Sequence, residues 1–238
     1  MLTVQSATFG YRRQAIVQDI DLSVSAGEIV AVLGTNGAGK STLVKTLLGI
    51  QPLLHGQISW HKGRPDPIAY LSQLTDFDRH FPMSVRNLIA SGAWGQRRRD
   101  LATPLKIENA LAQVDLSECA DMPVHELSGG QLQRARFARA IIQDAQMIIL
   151  DEPFAAVDQR RERTLMALIQ SWADQGRALI LVLHDLSAAL RLCDRALLLG
   201  KGGGDFGPTS DILTAERLIA RGYMSRTQVD LMHETAHA

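Results

Sequence analysis

"GEIVAVLGTNGAGKS", residues 27–41, decides how the rest of the chain is read. Its first half is a short, continuously apolar run ending in glycine, which suits a strand buried on both faces. Its second half fits the spacing G-x-x-x-x-G-K-[ST], and a helical pattern follows from Lys40 to about Gly49. Glycines at these positions let successive backbone N–H groups turn inward, and the helix N-terminus adds its positive dipole end. Gly34, Thr35, Asn36, Gly37, Ala38, Gly39, Lys40, Ser41 and Thr42 are therefore the candidate cradle for a nucleotide's phosphates. Lys40 is expected to reach the β- and γ-phosphates, and the Ser41 hydroxyl to ligate Mg²⁺.

Working outward, composition sets bounds. The chain has 238 residues, enough to bury a substantial core as one large domain or two modest ones. Its 25 basic and 25 acidic residues cancel, which argues against a general nucleic-acid or polyanion binder. Cys119 and Cys193 are too few and too isolated for a disulfide framework, so reduced thiols are expected. No apolar run approaches the roughly 18–20 residues that span a bilayer. No signal peptide is recognised, so any membrane part is expected to come from a partner.

The first thirty residues alternate as strands over "LTVQSATFGY" and "IVQDIDLSV", and "IAYLSQ" at 68–73 ends another. From about Leu74 to Leu127 the spacing becomes helical in "MSVRNLIASGAW" and "TPLKIENALAQVDL". Buried strands return at "MIILDE" and "ALILVLHD", separated by a helical stretch at 158–175, and the last residues read as helix and tail. This is an α/β pattern with a helical insertion.

Two further motifs narrow the chemistry. "MIILDE" (147–152) carries Asp151 to the carboxyl end of a buried strand, where ligands collect in open α/β sheets. There it can hold the Mg²⁺ shell, while Glu152 points differently and can polarise an attacking water. "LSGGQ" (127–131) opens the helix "QLQRARFARAII" and makes a second set of N–H donors aimed at an anion. Two phosphate cradles in one chain are explained economically by a head-to-tail homodimer. Ser128, Gly129, Gly130 and Gln131 of one subunit would then close over ATP held by the other.

With these motifs in place, the chain resembles the ATP-binding subunits of ABC transporters over nearly its whole length. The resemblance implies a P-loop NTPase of the ABC type, a nucleotide-binding domain with an antiparallel β subdomain and a helical insertion. It implies one domain over 1–238: a RecA-like core with antiparallel β region at about 1–73 and 127–215, a helical subdomain at about 74–126, and a C-terminal helix and tail at about 216–238. It further implies that Gln73 touches Mg²⁺ and senses the membrane subunit, and that His184 contacts the γ-phosphate. Asp158 would lie on the loop that crosses the dimer interface, and Tyr11 would stack on adenine. Read alone, His184 is a strand-end histidine and Tyr11 a sheet-edge aromatic. Their order around three motifs favours the functional roles. Two departures stand out: Ser72 where the family often has Pro, and Ala155 where it often has Ser.

ATP and Mg²⁺ are the implied cofactors, with Lys40, Glu152 and His184 as catalytic residues. Implied partners are integral membrane permease subunits, a second copy of the chain and, indirectly, an extracytoplasmic substrate-binding protein, with no nucleic acid. The implied location is peripheral, on the cytoplasmic face of the cell membrane. The competing class is a soluble ABC-type ATPase acting on DNA or ribosomes. Such relatives typically carry coiled-coil inserts or two cassettes, which this chain lacks. "QLTDFDRHFPMSVRNLIASG" (73–92) and "LDEPFAAVD" resemble the zinc and manganese importers, with iron-chelate, haem or cobalamin importers as the alternative.

The tail holds His233-Glu234-Thr235-Ala236-His237, an H-E-x-x-H pattern. A catalytic zinc normally takes three protein ligands, and only Ala238 follows His237, so a hydrolytic zinc site is not expected. A disordered polar tail is preferred to a weak regulatory zinc site. "RRR" at 97–99 is read as a solvated helix end, with lipid headgroups or a partner as the alternative.

Overall fold

The computed structural model describes residues 1–11, 14–73, 78, 81–94, 103–225 and 227. The "RRR" run and the histidine tail lie outside these. The chain divides into two compact units, one formed by Met1–Arg64 and Ile180–Ala238, the other by Pro65–Leu179.

In the first unit, β1 (Leu2–Tyr11) sits between β2 (Gln14–Val24) and β4 (His55–Trp60), antiparallel to both. Alternation puts Leu2, Val4, Ala7 and Phe9 of β1 inside. The alternation breaks at Ser6, whose φ is +42° and whose N–H donates to Asp21 Oδ1 at 2.9 Å. That bulge shifts the register against both neighbours. β3 (Ile29–Gly34) is buried along its whole length and runs parallel to β8 (Arg195–Gly200), with β9 (Gly203–Pro208) antiparallel on the far side of β8. The continuous apolar run is what such two-faced burial requires. α1 (Lys40–Leu47) follows β3 directly, with Leu43, Val44 and Leu47 buried. α6 (Leu186–Leu192), α7 (Thr209–Ile212) and α8 (Ala215–Ala220) complete the unit among the described residues.

In the second unit, β5 (Ile68–Leu71) pairs in parallel with β6 (Met147–Asp151). α2 (Val85–Ala90) is capped by Ser84, and α3 (Pro104–Gln113) by Thr103 with Pro104 in its first turn. Both pack on α4 (Gly129–Gln143), whose Phe137 stacks on Trp172 of α5 (Gln159–Asp174) with ring centroids 6.1 Å apart. α5 is amphipathic: Leu165, Ile169, Trp172 and Ala173 form one buried stripe. β7 (Ala178–Val182) carries the boundary between the units.

The elements thus show antiparallel and parallel strands mixed with helices. The expected strand through His184 is shorter than read: β7 stops at Val182, and the Asp185 side chain then caps α6. The strands β4, β8 and β9 have no counterpart in the sequence expectations.

Candidate functional site

The glycine-rich loop is built by its backbone angles. Gly34 closes β3, where an added Cβ would lie 2.7 Å from the Leu199 carbonyl oxygen. Gly37 and Gly39 have φ of +82° and +96°, a region glycine enters without steric cost. Gly39 is also the residue from which α1 starts, so no side chain caps the helix at that position. Lys40 is 7% exposed, and its ammonium donates to the carbonyls of Gly34 (2.7 Å) and Thr35 (3.1 Å). A second tie, Ala38 N–H to Thr35 O at 3.1 Å, closes the loop's turn. Thr35, Asn36, Gly37 and Ser41 face solvent, with Ala38 and Thr42 half-buried. The arrangement ties a buried cation to the loop's own carbonyls, a backbone turn suited to a polyphosphate.

Two other expected residues belong to the same unit. Tyr11 ends β1 opposite Gln14 and is 54% exposed. His184 is exposed, and its carbonyl accepts from the Tyr223 hydroxyl at 2.6 Å. Tyr223, whose hydroxyl pKa is raised by burial, was invisible to sequence reasoning. It lies 39 residues from His184, and no local pattern ties the two.

The second unit holds the carboxylates. Asp151 is the last residue of β6 and 3% exposed. Glu152 follows with φ of +51°, a left-handed conformation uncommon for a residue with a side chain. The Gln73 amide donates from Nε2 to Glu152 Oε1 at 2.8 Å, which brings these two sequence-predicted residues together.

Ser128, Gly129, Gly130 and Gln131 open α4 as a capping box. Ser128 Oγ accepts from Gln131 N–H at 3.2 Å, and Gln131 Oε1 accepts from Ser128 N–H at 2.8 Å. Gln131 Nε2 also meets Cys119 Sγ at 3.6 Å. Gly130 is glycine for space: a Cβ there would come 2.9 Å from the Ala156 carbonyl oxygen. Asp158 caps α5 and pairs with Arg161 at 2.8 Å, and these hydrogen bonds hold its carboxyl below the usual carboxylate range.

A glycine-rich phosphate loop after a buried strand, a strand-end carboxylate pair and a second glycine-bearing helix start define a nucleotide-hydrolysing protein of the P-loop class. Comparison with known proteins narrows the class. The ABC transporter family matches residues 17–155. The manganese transport system ATP-binding protein MntB of Bacillus subtilis (strain 168) is 36% identical over 90% of this chain and 89% of its own. The zinc transport system ATP-binding protein TroB of Treponema pallidum (strain Nichols) is 35% identical over 82% of this chain and 77% of its own. Among solved structures, an inward-facing metal-chelate type ABC transporter superposes with a TM-score of 0.80 at 29% identity, covering 94% of this chain and 89% of that one. The chain belongs to the ABC transporter family, as one of its ATP-hydrolysing subunits. Among the described residues no helix is long and apolar enough to cross a membrane.

Proposed function

We propose that this chain energises import of manganese or zinc, working as a homodimer docked peripherally on integral membrane permease subunits at the cytoplasmic face, with a substrate-binding protein delivering cargo on the other side. The cargo rests on the relatives named for manganese and zinc transport. The observation that carries the hydrolytic part is the Gln73–Glu152 contact, which holds a carboxylate beside Asp151 at the end of a buried strand. We further assign a core to about 1–73 and 127–215, a helical subdomain to about 74–126, and a C-terminal segment to about 216–238.

The donor chemistry suits Mg²⁺. Ser41 offers a hydroxyl oxygen and Asp151 a carboxylate, and Gln73, with its nitrogen on Glu152, has its carbonyl oxygen as the remaining polar atom. Magnesium is commonly held by one or two carboxylates plus waters and substrate phosphates. Held by these residues, Mg²⁺ would supply neutralisation of the phosphate charge.

The chain's own groups do the rest by position. The amides of 34–42 orient the phosphates, and Lys40 exchanges loop carbonyls for phosphate oxygens. Tyr11 stacks on the adenine. Ser128, Gly129, Gly130 and Gln131 of the second copy close over the γ-phosphate, and Asp158 lies on the interface loop. Glu152 orients the attacking water or accepts its proton, and His184 steadies the phosphate. Little covalent work is needed, because phosphoryl transfer is chiefly positioning and electrostatics.

Glu152→Gln keeps the Gln73 contact within reach but removes the basic carboxylate. It should slow ATP hydrolysis by about 10²-fold or more while ATP still binds and traps a dimer. In cells carrying this variant, uptake of labelled manganese or zinc should fall selectively. Native turnover in the variant would reject the role of Glu152. Loss of chelated-iron uptake alone would keep the ATPase and replace the cargo.

A further inference from the structure

α4 carries three buried polar side chains that the roles above leave unused, Gln133, Arg134 and Arg136, and two of them bear on the Glu152 turn. Gln133 has no exposed surface and Arg136 is 6% exposed. A buried primary amide must satisfy both of its ends. Gln133 Nε2 donates to the carbonyls of Glu152 (3.3 Å) and Pro153 (2.8 Å), and its Oε1 accepts from Arg136 Nη1 at 3.0 Å. The amide's orientation is thereby fixed, since a flip would set oxygen against two carbonyl oxygens and nitrogen against a guanidinium. The other arm of the Arg136 fork donates to the Ser72 carbonyl and, at 3.0 Å, to the Ser72 hydroxyl.

These contacts close a ring. Gln73 holds Glu152 by its side chain, and Ser72, its neighbour, is tied through Arg136 and Gln133 to the Glu152 backbone. The tie falls on a residue in a left-handed conformation, whose energetic cost persists only where surrounding contacts over-determine it. A guanidinium suits the task because its planar fork holds two acceptors at a set separation, which a lysine ammonium cannot do.

We propose that Gln133 and Arg136 are positioning residues of the hydrolytic site, fixing the Glu152 carboxylate by clamping its backbone to the loop that carries Gln73. This rests on the assignment of Glu152 to the attacking water. A displacement of the Ser72–Gln73 backbone reaches Glu152 through two routes at once: the direct side-chain hydrogen bond and the buried relay along α4.

The test uses the purified full-length chain, with steady-state ATPase kinetics, binding of a fluorescent ATP analogue and thermal melting. Arg136→Met is compared in the native and Glu152→Gln backgrounds. The expected result is a fall in kcat of about tenfold with KM and analogue affinity within about twofold, because only alignment of the water is lost. In the Glu152→Gln background the same change should leave the residual rate nearly unaltered, since residues acting as one unit are non-additive. An unchanged kcat, or an equal loss in both backgrounds, overturns the proposal. If Arg136→Met does not melt cooperatively, Arg136→Lys decides. It keeps the charge and one hydrogen-bonding end, so a smaller kcat loss confined to the native background is expected, and equal losses again overturn it. Native turnover in Glu152→Gln alone would instead strike the underlying assignment, and the two failures are seen separately.

Discussion

Two helices in this chain start on glycine-bearing segments, and they are finished in opposite ways. α1 begins at Gly39 in a left-handed conformation without a side-chain cap at that position, and a buried lysine anchors its loop. α4 begins at Ser128 in an extended conformation and is closed by its own serine and glutamine. Backbone N–H groups at a helix start need partners. At α1 the cap position supplies no side chain, so a bound anion can serve. At α4 the chain caps itself, and an anion meeting this segment has to share or displace the cap. This difference fits the proposed roles, in which the glycine-rich loop cradles the nucleotide and the α4 segment makes a second contact when two copies close.

Substitutions can break this comparison. The largest effect is expected from Gly39→Ala. Its Cβ would lie 2.2 Å from Val17 Cγ2 at a φ of +96°. Strain of this kind costs about 1–3 kcal/mol, lowering Tm by roughly 3–10 °C in a chain of this size. ATP binding should be lost as well, measured by titration with a fluorescent analogue. Normal binding would show that the loop tolerates a side chain and that the cradle lies elsewhere.

An intermediate effect separates the two uses of Ser128. Ser128→Ala removes the cap and should cost about 1 kcal/mol in denaturant unfolding. Analogue binding should be kept while hydrolysis is lost. Ser128→Asp keeps a capping oxygen, so stability should return without hydrolysis, because a carboxylate would repel the nucleotide phosphates. Full ATPase activity in Ser128→Asp would deny the α4 segment its phosphate contact.

The smallest effect belongs to Gln131→Ala, which removes the reciprocal half of the box. Only a few tenths of a kcal/mol in stability are expected, on the scale of one exposed local side-chain contact. A loss as large as that of Ser128→Ala would show that the two halves of the cap are inseparable.

The loop and its helix were legible because every determinant is local. An apolar run, glycines at fixed spacing and a following helical pattern all fall within 27–49. α5 was legible for the same reason, its stripe being periodic. β8 and β9 were not. "RALLLG" could belong to several kinds of element, and "GGDFGP" reads as a turn, yet the two pair from Arg195 with Pro208 to Gly200 with Gly203. Strand propensity is largely a statement about neighbours, and a sequence does not list them. Gln133 and Arg136 were missed for a related reason. "QLQRARFARA" reads only as a helix, but packing of α2, α3 and Trp172 on α4 buries Gln133 and Arg136, and burial obliges each polar group to find a partner.

By itself, then, the sequence determined the glycine-rich loop, the carboxylate pair after a buried strand and the second helix start, because glycine conformations, apolar runs and caps act over a few neighbouring residues. Only the tertiary structure decided that Gln73 grips Glu152, that Tyr223 holds the His184 carbonyl, and that a glutamine and an arginine inside α4 brace the Glu152 turn. Those contacts join residues 3 to 79 positions apart, and only the folded chain brings the distant ones within the roughly 3 Å at which a hydrogen bond forms.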